Sequence, residues 1–219
     1  YAMKKIFKYL AILASAAISF CACTDDSENV DYNNVGEGEK VILNLSYGAI
    51  NPSVIVARSA ATKEENKLNN LYVYVFSASD GKLKGFTKIE DASQLNQDGG
   101  KGDIKVFTTT GASHIYAVAN YKKSNTVYTI DNLPTNINPL DAQAGLEDGI
   151  DLDGFKSLMF TRASGETLIN EYLMAGSANE GNECIIADSD GMGYIADPTS
   201  DDGKLIKLHR IVSKVQFNI

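Results

Sequence analysis

The sequence LYVYVF at residues 71–76 is the clearest strand pattern in this chain of 219 residues. Its positions are filled by β-branched, aromatic and leucine side chains, and Ser79-Asp80-Gly81 follows with the residues typical of a hairpin turn. Alternate side chains share a face, so the two faces carry Leu71, Val73 and Val75, and Tyr72, Tyr74 and Phe76. We expect the aliphatic face to point into the core, although the aromatic face is also apolar enough to pack.

Further strand patterns lie on both sides of this stretch. Residues 41–47 alternate between apolar and polar side chains, with the apolar ones at Val41, Leu43, Leu45 and Tyr47. Residues 104–109 and 114–120 predict a second pair of strands joined through Gly111, and 126–130 a weaker strand. Residues 204–219 predict a long closing strand. The inner faces are expected to include Ile115, Ala117, Val215 and Phe217.

The segment 139–160 is different, because its apolar residues lack period two and glycines interrupt it. It predicts one or two short helices with apolar faces at Leu140, Leu146, Phe155, Leu158 and Met159. Many strands, few helices and no alternation of strands with helices predict an all-β protein, a β-sandwich.

The first residues predict an export signal with a lipid attachment site. Lys4, Lys5 and Lys8 precede a short apolar run, 9–20, which is too short to span a bilayer as a mature helix. Ala22-Cys23 then resembles a bacterial lipobox, so residues 1–22 would be the signal peptide and Cys23 the lipidated residue. Cys21 is the competing acceptor, but the bulky Phe20 precedes it. A plain secretory signal that is cut nearby is the other alternative. Tyr1 and Ala2 precede the first methionine and are interpreted as an artefact.

Charge excludes nucleic acid as a partner. The formal net charge is −8, and loss of three signal-peptide lysines would take it to about −11, with no basic stripe anywhere. With Cys23 lipidated, Cys184 alone would remain, so no intramolecular disulfide can form.

No pattern points to enzyme chemistry or to a cofactor. His114 and His209 lack partners at metal-ligand spacing, and Cys184 has neutral or acidic neighbours, so we interpret it as a small buried hydrophobe. Asp151-Leu-Asp153-Gly154 and Asp188-Ser-Asp190-Gly191 could be calcium loops. Asp-Gly turns without a metal are the simpler interpretation of both.

Arg58 is the residue with the most suggestive position. It ends a short extended apolar piece and precedes a polar, charged segment that runs to residue 70 without apolar periodicity. An arginine in such a segment is a good site for an arginine-specific protease. A solvated loop arginine would look the same.

Four stretches in this order resemble the fimbrillin family, the type V pilins of Bacteroides-type bacteria. They are KLNNLYVYVFSASDGKL from residue 67, GASHIYAVANY from 111, YLMAGSANEG from 172 and LHRIVSKVQFNI from 208. The resemblance covers most of the chain from about residue 40 and matches the N-terminal domain of that family. It implies a Greek-key, transthyretin-like β-sandwich for residues 59–219. The family's second domain, with its donor strand, is not matched, and the chain ends in mid-pattern, so we expect a fragment of a longer protein.

The resemblance also implies how the protein works. Family members reach the outer membrane as surface lipoproteins, held through the lipid on a cysteine that corresponds to Cys23. An arginine-specific protease then cuts, here between Arg58 and Ser59, and removes an acidic tether and propeptide strand, residues 23–58. A strand of another subunit fills the gap, and repetition builds an adhesive fimbrium. The alternatives are a pilus-anchoring subunit and a non-polymerising surface lipoprotein that binds glycans or host ligands.

Overall fold

The computed structural model describes residues 38–50, 66–95, 97–98, 100–121, 128–146, 150–158, 160–162, 172–196 and 205–211. The predictions for the signal peptide, Cys23, Arg58, Ser59, Val215 and Phe217 lie outside the described residues. Within these ranges no helix is long and apolar enough to cross a membrane.

The described chain is mostly β-strand with a few short helices. The strands are β1 Lys40–Ile50, β2 Leu71–Ser77, β3 Leu83–Ile89, β4 Gln97–Asp98, β5 Lys101–Thr109, β6 Gly111–Ala119, β7 Tyr128–Ile130, β8 Phe160–Arg162, β9 Met174–Ser177, β10 Cys184–Ser189, β11 Met192–Ile195 and β12 Leu205–Arg210. The α-helices are α1 Pro139–Gln143 and α2 Leu152–Lys156, and two 3₁₀ turns cover Ala92–Gln94 and Ala178–Gly181.

Ten of these strands form one sheet that closes on itself. The order β1-β12-β9-β6-β2-β3-β5 returns to β1 because β5 also pairs with β1. Strands β11 and β10 connect β1 to β6 as a second path, and β4 lies at the edge of β5. Strands β7 and β8 form a separate two-stranded ladder. The architecture is therefore a barrel-like or sandwich-like sheet, in agreement with the all-β prediction.

Strand β2 is buried on both faces, which explains why its sequence carries no polar alternation. Leu71, Val73 and Val75 join the main core, together with Ile115 and Ala117 of β6, so the predicted inner face is confirmed. The aromatic face packs in a second core against α2, where the Tyr74 and Phe155 ring centroids are 4.8 Å apart.

The predicted pairing of residues 104–109 with 114–120 is wrong. In the described part of the chain β5 pairs with β1, β3 and β4, whereas β6 pairs with β2, β9 and β10. Only Thr110 separates β5 from β6, and a hairpin needs a loop of at least about two residues. The chain therefore turns a corner, with Gly111 at a φ of 103°.

Both short helices in 139–160 are confirmed, but their apolar faces are only partly as predicted. Phe155 and Leu158 pack against the second core, whereas Leu140 and Leu146 are 60% and 70% exposed. Met159 lies outside the described residues. Helix α1 buries Ala142 and Gln143 instead, because a small side chain lets its backbone approach the sheet.

Candidate functional site: strand β1 and its neighbours

Strand β1 has hydrogen-bonded neighbours on both sides. On one side it runs antiparallel to β5, from Lys40 opposite Thr109 to Gly48 opposite Lys101. On the other side its first half is parallel to β11, with Leu43 opposite Gly193, and its second half is parallel to β12, with Ser46 opposite Leu205. Removal of β1 would therefore leave two strand edges facing a gap.

The inward side chains of β1 belong to the main core. Val41, Leu43, Leu45 and Tyr47 are at most 2% exposed, as the alternation in the sequence predicted. Burial of each such side chain contributes about 1.5 to 3 kcal/mol. The gap that β1 fills is thus lined with apolar residues of the main core.

The two ends of β1 are held by hydrogen bonds to the residues that flank β5. At the start, Thr110 N donates to Glu39 O at 2.9 Å, and Glu39 N donates to Thr110 Oγ1 at 3.1 Å. At the end, Ala49 N donates to Gly100 O at 3.0 Å. The ladder between β1 and β5 therefore extends beyond the strand bounds in both directions.

Gly193 of β11 has no room for a side chain against β1. A Cβ at this position would lie 2.8 Å from Val41 Cγ2 and 3.3 Å from Leu43 Cα. Real Cβ atoms do not approach another atom to 2.8 Å, so any other residue here would push the two strands apart.

Gln143, at the end of α1, joins β1 to β5 through its side chain. Its Nε2 donates to Thr108 O at 2.8 Å and to Val41 O at 3.2 Å. Val41 and Thr108 are directly opposite each other in the ladder. The amide thus bridges the two strands at one defined position.

The Tyr47 hydroxyl is buried, and no described residue gives it a hydrogen-bond partner. Burial raises the pKa of Tyr47 above its usual value of 10.0, and the negative charge of Asp103 raises that pKa further. The phenol is therefore neutral at physiological pH.

The chain after β1 resumes at Asn66 with anchors of its own. Asn120, at a φ of 59°, accepts a bond from Asn69 N at 2.7 Å and donates to Lys67 O at 3.1 Å and to Tyr172 O at 2.9 Å. Arg210 Nη2 donates to Asn66 Oδ1 at 2.8 Å. None of these hydrogen bonds involves β1, whereas Leu68 of this segment packs in the main core that β1 also joins.

Comparison with protein-family models finds one that covers most of the chain. The model described as major fimbrial subunit protein (FimA) matches residues 33–207, well over half of the sequence. This chain belongs to the FimA major fimbrial subunit family. The membership agrees with the resemblance that the sequence motifs carry.

Solved structures similar to this FimA-family chain include fimbrial and adhesion proteins. The tip fimbrial protein Mfa3 from Porphyromonas gingivalis, with a C-terminal truncation, has a TM-score of 0.46 and 13% identity, over 78% of this chain and 48% of that one. A suspected cell adhesion protein from Parabacteroides distasonis has a TM-score of 0.42 and 16% identity, over 78% and 40%. A fimbrial assembly protein from the same species has a TM-score of 0.40 and 17% identity, over 79% and 54%.

The FimA-family chain therefore spans about half the length of these structures. No curated protein matches its sequence.

Of the site residues predicted from sequence, the structure brings together Val41, Leu43, Leu45 and Tyr47, on the inner face of one strand. Cys23, Arg58 and Ser59 lie outside the described residues. Sequence reasoning missed Gln143 and Gly193 of this FimA-family chain. No local signal marked Gln143, because its position depends on how α1 packs against the sheet, whereas a glycine within a short apolar strand was the available signal for Gly193.

The other singled-out residues have structural roles. Asp151 Oδ1 accepts from Gly154 N, and Asp188 Oδ1 accepts from Gly191 N, each at 2.7 Å, so both aspartates close turns. His114 Nδ1 lies 3.1 Å from Gly181 O, and Cys184 is buried in the main core. No cluster of three metal-ligating side chains occurs among the residues described.

Proposed function

We propose that this FimA-family protein is a structural subunit of an adhesive cell-surface fimbrium, and that β1 is a removable strand. In this proposal the protein is exported to the outer membrane with a lipid on Cys23. An arginine-specific protease cuts between Arg58 and Ser59, the segment 23–58 departs with β1, and a strand of another subunit takes its place. The Greek-key, transthyretin-like connectivity expected for residues 59–219 is part of the same proposal.

The proposal rests on the position of β1 in the sequence and in the sheet. It is the first strand of the described chain, yet it lies inside the sheet with neighbours on both sides. Its four inward side chains are together worth about 6 to 12 kcal/mol of burial. A subunit that loses this strand has an apolar gap between two unpaired edges, which favours capture of another strand.

The proposed cut separates β1 from a segment that has its own hydrogen bonds to the body. Strand β1 ends at Ile50, and the body is held from Asn66 onwards by Asn120 and Arg210. Arg58 lies in the sequence between these points. The other two arginines, Arg162 and Arg210, are the last residues of β8 and β12. Each is paired there, with Tyr128 and with Met174, and paired backbone resists a protease. These facts make Arg58 the arginine best suited to processing.

Capture that repeats from subunit to subunit produces a filament. The strand donor and the acceptor gap are different surfaces, so the contact is head-to-tail and does not close into a dimer. The partners in this proposal are other fimbrial subunits, the arginine-specific protease and, before processing, the outer-membrane lipid.

The test is limited digestion of the full-length protein with an arginine-specific endoprotease. We expect a product that begins at Ser59 and forms a ladder of oligomers on a denaturant-resistant gel. Arg58→Ala should remain monomeric, and Arg58→Lys should polymerise when trypsin replaces the arginine-specific enzyme. If Arg58→Ala polymerises as well as the parent, the processing switch is wrong, and an anchoring subunit or a glycan-binding adhesin is the better proposal.

The lipid anchor has a separate test. Labelling of cells with a palmitate analogue should mark the parent and Cys21→Ala but not Cys23→Ala. The opposite pattern would transfer the anchor to Cys21.

A further inference from the structure

Gln143 is a buried amide in a position that core packing alone does not require. It is 9% exposed, and its two donor contacts both go to main-chain carbonyls, one on β1 and one on β5. A leucine of similar size would bury more apolar area and need no hydrogen bonds. The amide is therefore best explained by what it binds.

Helix α1 places this amide firmly. Asn138 Oδ1 accepts from Leu140 N at 3.1 Å, Pro139 occupies the first turn, and Ala142 is fully buried in the second core beside β3. Of the two carbonyls, Thr108 O belongs to the wall of the gap, whereas Val41 O belongs to the strand that fills it. Departure of β1 would leave Nε2 with only one of its two carbonyl acceptors.

We propose that Gln143 is a positioning residue that holds whichever strand occupies the place of β1, through a carbonyl of its main chain. For β1 this inference does not depend on the proposed function. For a strand from another subunit it rests on the proposed function. Because the contact is to the main chain, it accepts any side chain at that position. Register is left to the alternate side chains, since every register that keeps the ladder with β5 presents a carbonyl at this point.

This hydrogen bond affects how fast a strand leaves the gap more than which strand occupies the gap at equilibrium. Two strands that both offer a carbonyl at this point gain the same bond, so the bond cancels in the equilibrium between them. The departure of either strand breaks this bond, so the bond slows departure in both cases. Gln143 should therefore slow exchange without changing its end point.

The first test uses native-state amide hydrogen exchange of the intact full-length chain. Gln143→Met removes the donor at nearly constant volume, and it should speed exchange of the Val41 and Leu43 amides by up to about tenfold, as expected for the one net hydrogen bond that opening of β1 breaks. The Val73 and Ala117 amides in β2 and β6 should keep their protection. Gln143→Glu, which keeps size and polarity but loses the amide donor, should act in the same direction.

Leu140→Ala is the matched control, because it alters an exposed side chain of the same helix and should leave the β1 amides unchanged. An unchanged rate at Val41 and Leu43 in both Gln143 variants would overturn the proposal. An equal increase in β1, β2 and β6 would also overturn it, because that result indicates general destabilisation.

The second test measures release of residues 23–58 after the Arg58 cut. Gln143→Met should release the segment about tenfold faster, while a competing peptide of the β1 sequence reaches the same final occupancy as in the parent. If the cut parent neither releases the segment nor polymerises, the proposed function fails, and the hydrogen-exchange result still decides the role of Gln143 on β1. If release is equally fast in both proteins, the role of Gln143 in exchange is refuted.

Discussion

At the scale of single residues, the Tyr47 hydroxyl offers a direct way to strengthen the hold of β1. The oxygen is buried, and the described residues leave it without a hydrogen-bond partner, which costs stability. We expect Tyr47→Phe to raise the free energy of unfolding by about 1 kcal/mol in a denaturant titration. Tyr74→Phe is the control, because Tyr74 donates to Pro134 O at 2.8 Å and its loss should lower stability. A loss of stability in Tyr47→Phe would mean that the hydroxyl has a partner.

Buried tyrosines also predict how stability depends on alkaline pH. Burial, and then the neighbouring Glu90 carboxylate, raise the pKa of Tyr72 to about 12, and burial raises the pKa of Tyr47 as well. Above pH 10 the unfolded chain loses these protons before the folded chain does, so stability falls as pH rises from about 10 to about 12. Tyr72→Phe should flatten this fall, and near pH 7 it should cost no more than the hydrogen bond that Tyr72 donates to Glu90 Oε1 at 3.3 Å. Unfolding free energies that stay constant from pH 9 to pH 12 would refute the assignment.

At the scale of elements, the approach of β11 to β1 depends on Gly193. A Cβ there would meet Val41 Cγ2 at 2.8 Å and the Leu43 backbone at 3.3 Å, and the backbone cannot easily move aside. We expect Gly193→Ala to lower the free energy of unfolding by about 1 to 3 kcal/mol, with faster hydrogen exchange in β1.

The control for Gly193 lies on β1 itself. A Cβ on Gly48 would make ordinary contacts, 3.5 Å from Lys101 Cγ and 3.7 Å from Leu205 Cδ1. Gly48→Ala should therefore be neutral or stabilising by up to about 1 kcal/mol. If the two variants lose the same stability, close strand approach is not the reason.

Strands with a distinct local pattern could be predicted from the sequence, and β1 and β2 are the clearest cases. The alternation from Val41 to Tyr47 identified both the strand and its buried face. The continuous apolar run 71–76 identified β2 but left its inner face open. That ambiguity has a physical origin, because the two faces of β2 contact two different cores.

Pairing partners and short polar contacts could not be predicted in the same way. Strand β5 was expected to pair with β6, but a single residue, Thr110, cannot form the loop of a hairpin. The position of Gln143 depends on α1 folding back on the seam between β1 and β5, and nothing within five residues of sequence encodes that. The expectation that Leu140 and Leu146 are buried was wrong for a related reason. Leu140 is on the exposed side of a five-residue helix, and Leu146 lies beyond the end of that helix.

At the scale of the whole molecule, closure of the sheet depends on one strand. We expect deletion of residues 38–50 from the full-length protein to leave a soluble but self-associating chain that binds a hydrophobic dye. The peptide GEKVILNLSYGAI, which corresponds to residues 38–50, should restore the monomer and suppress dye binding. A peptide of the same composition without the apolar alternation is the control. If both peptides restore the monomer, binding in the gap does not depend on the apolar alternation of the strand.

The closed sheet also pairs strands that are far apart in the sequence and are therefore synthesised at different times. Ser46 in β1 lies opposite Leu205 in β12, roughly 160 positions later, and contacts of such long range fold slowly. For much of that interval β1 exists without its final neighbours, and the open gap can receive the first strand of another copy as readily as its own. The yield of monomer on refolding should therefore fall as protein concentration rises. At low concentration each chain should insert its own β1, whereas at high concentration more chains should exchange this strand with another copy.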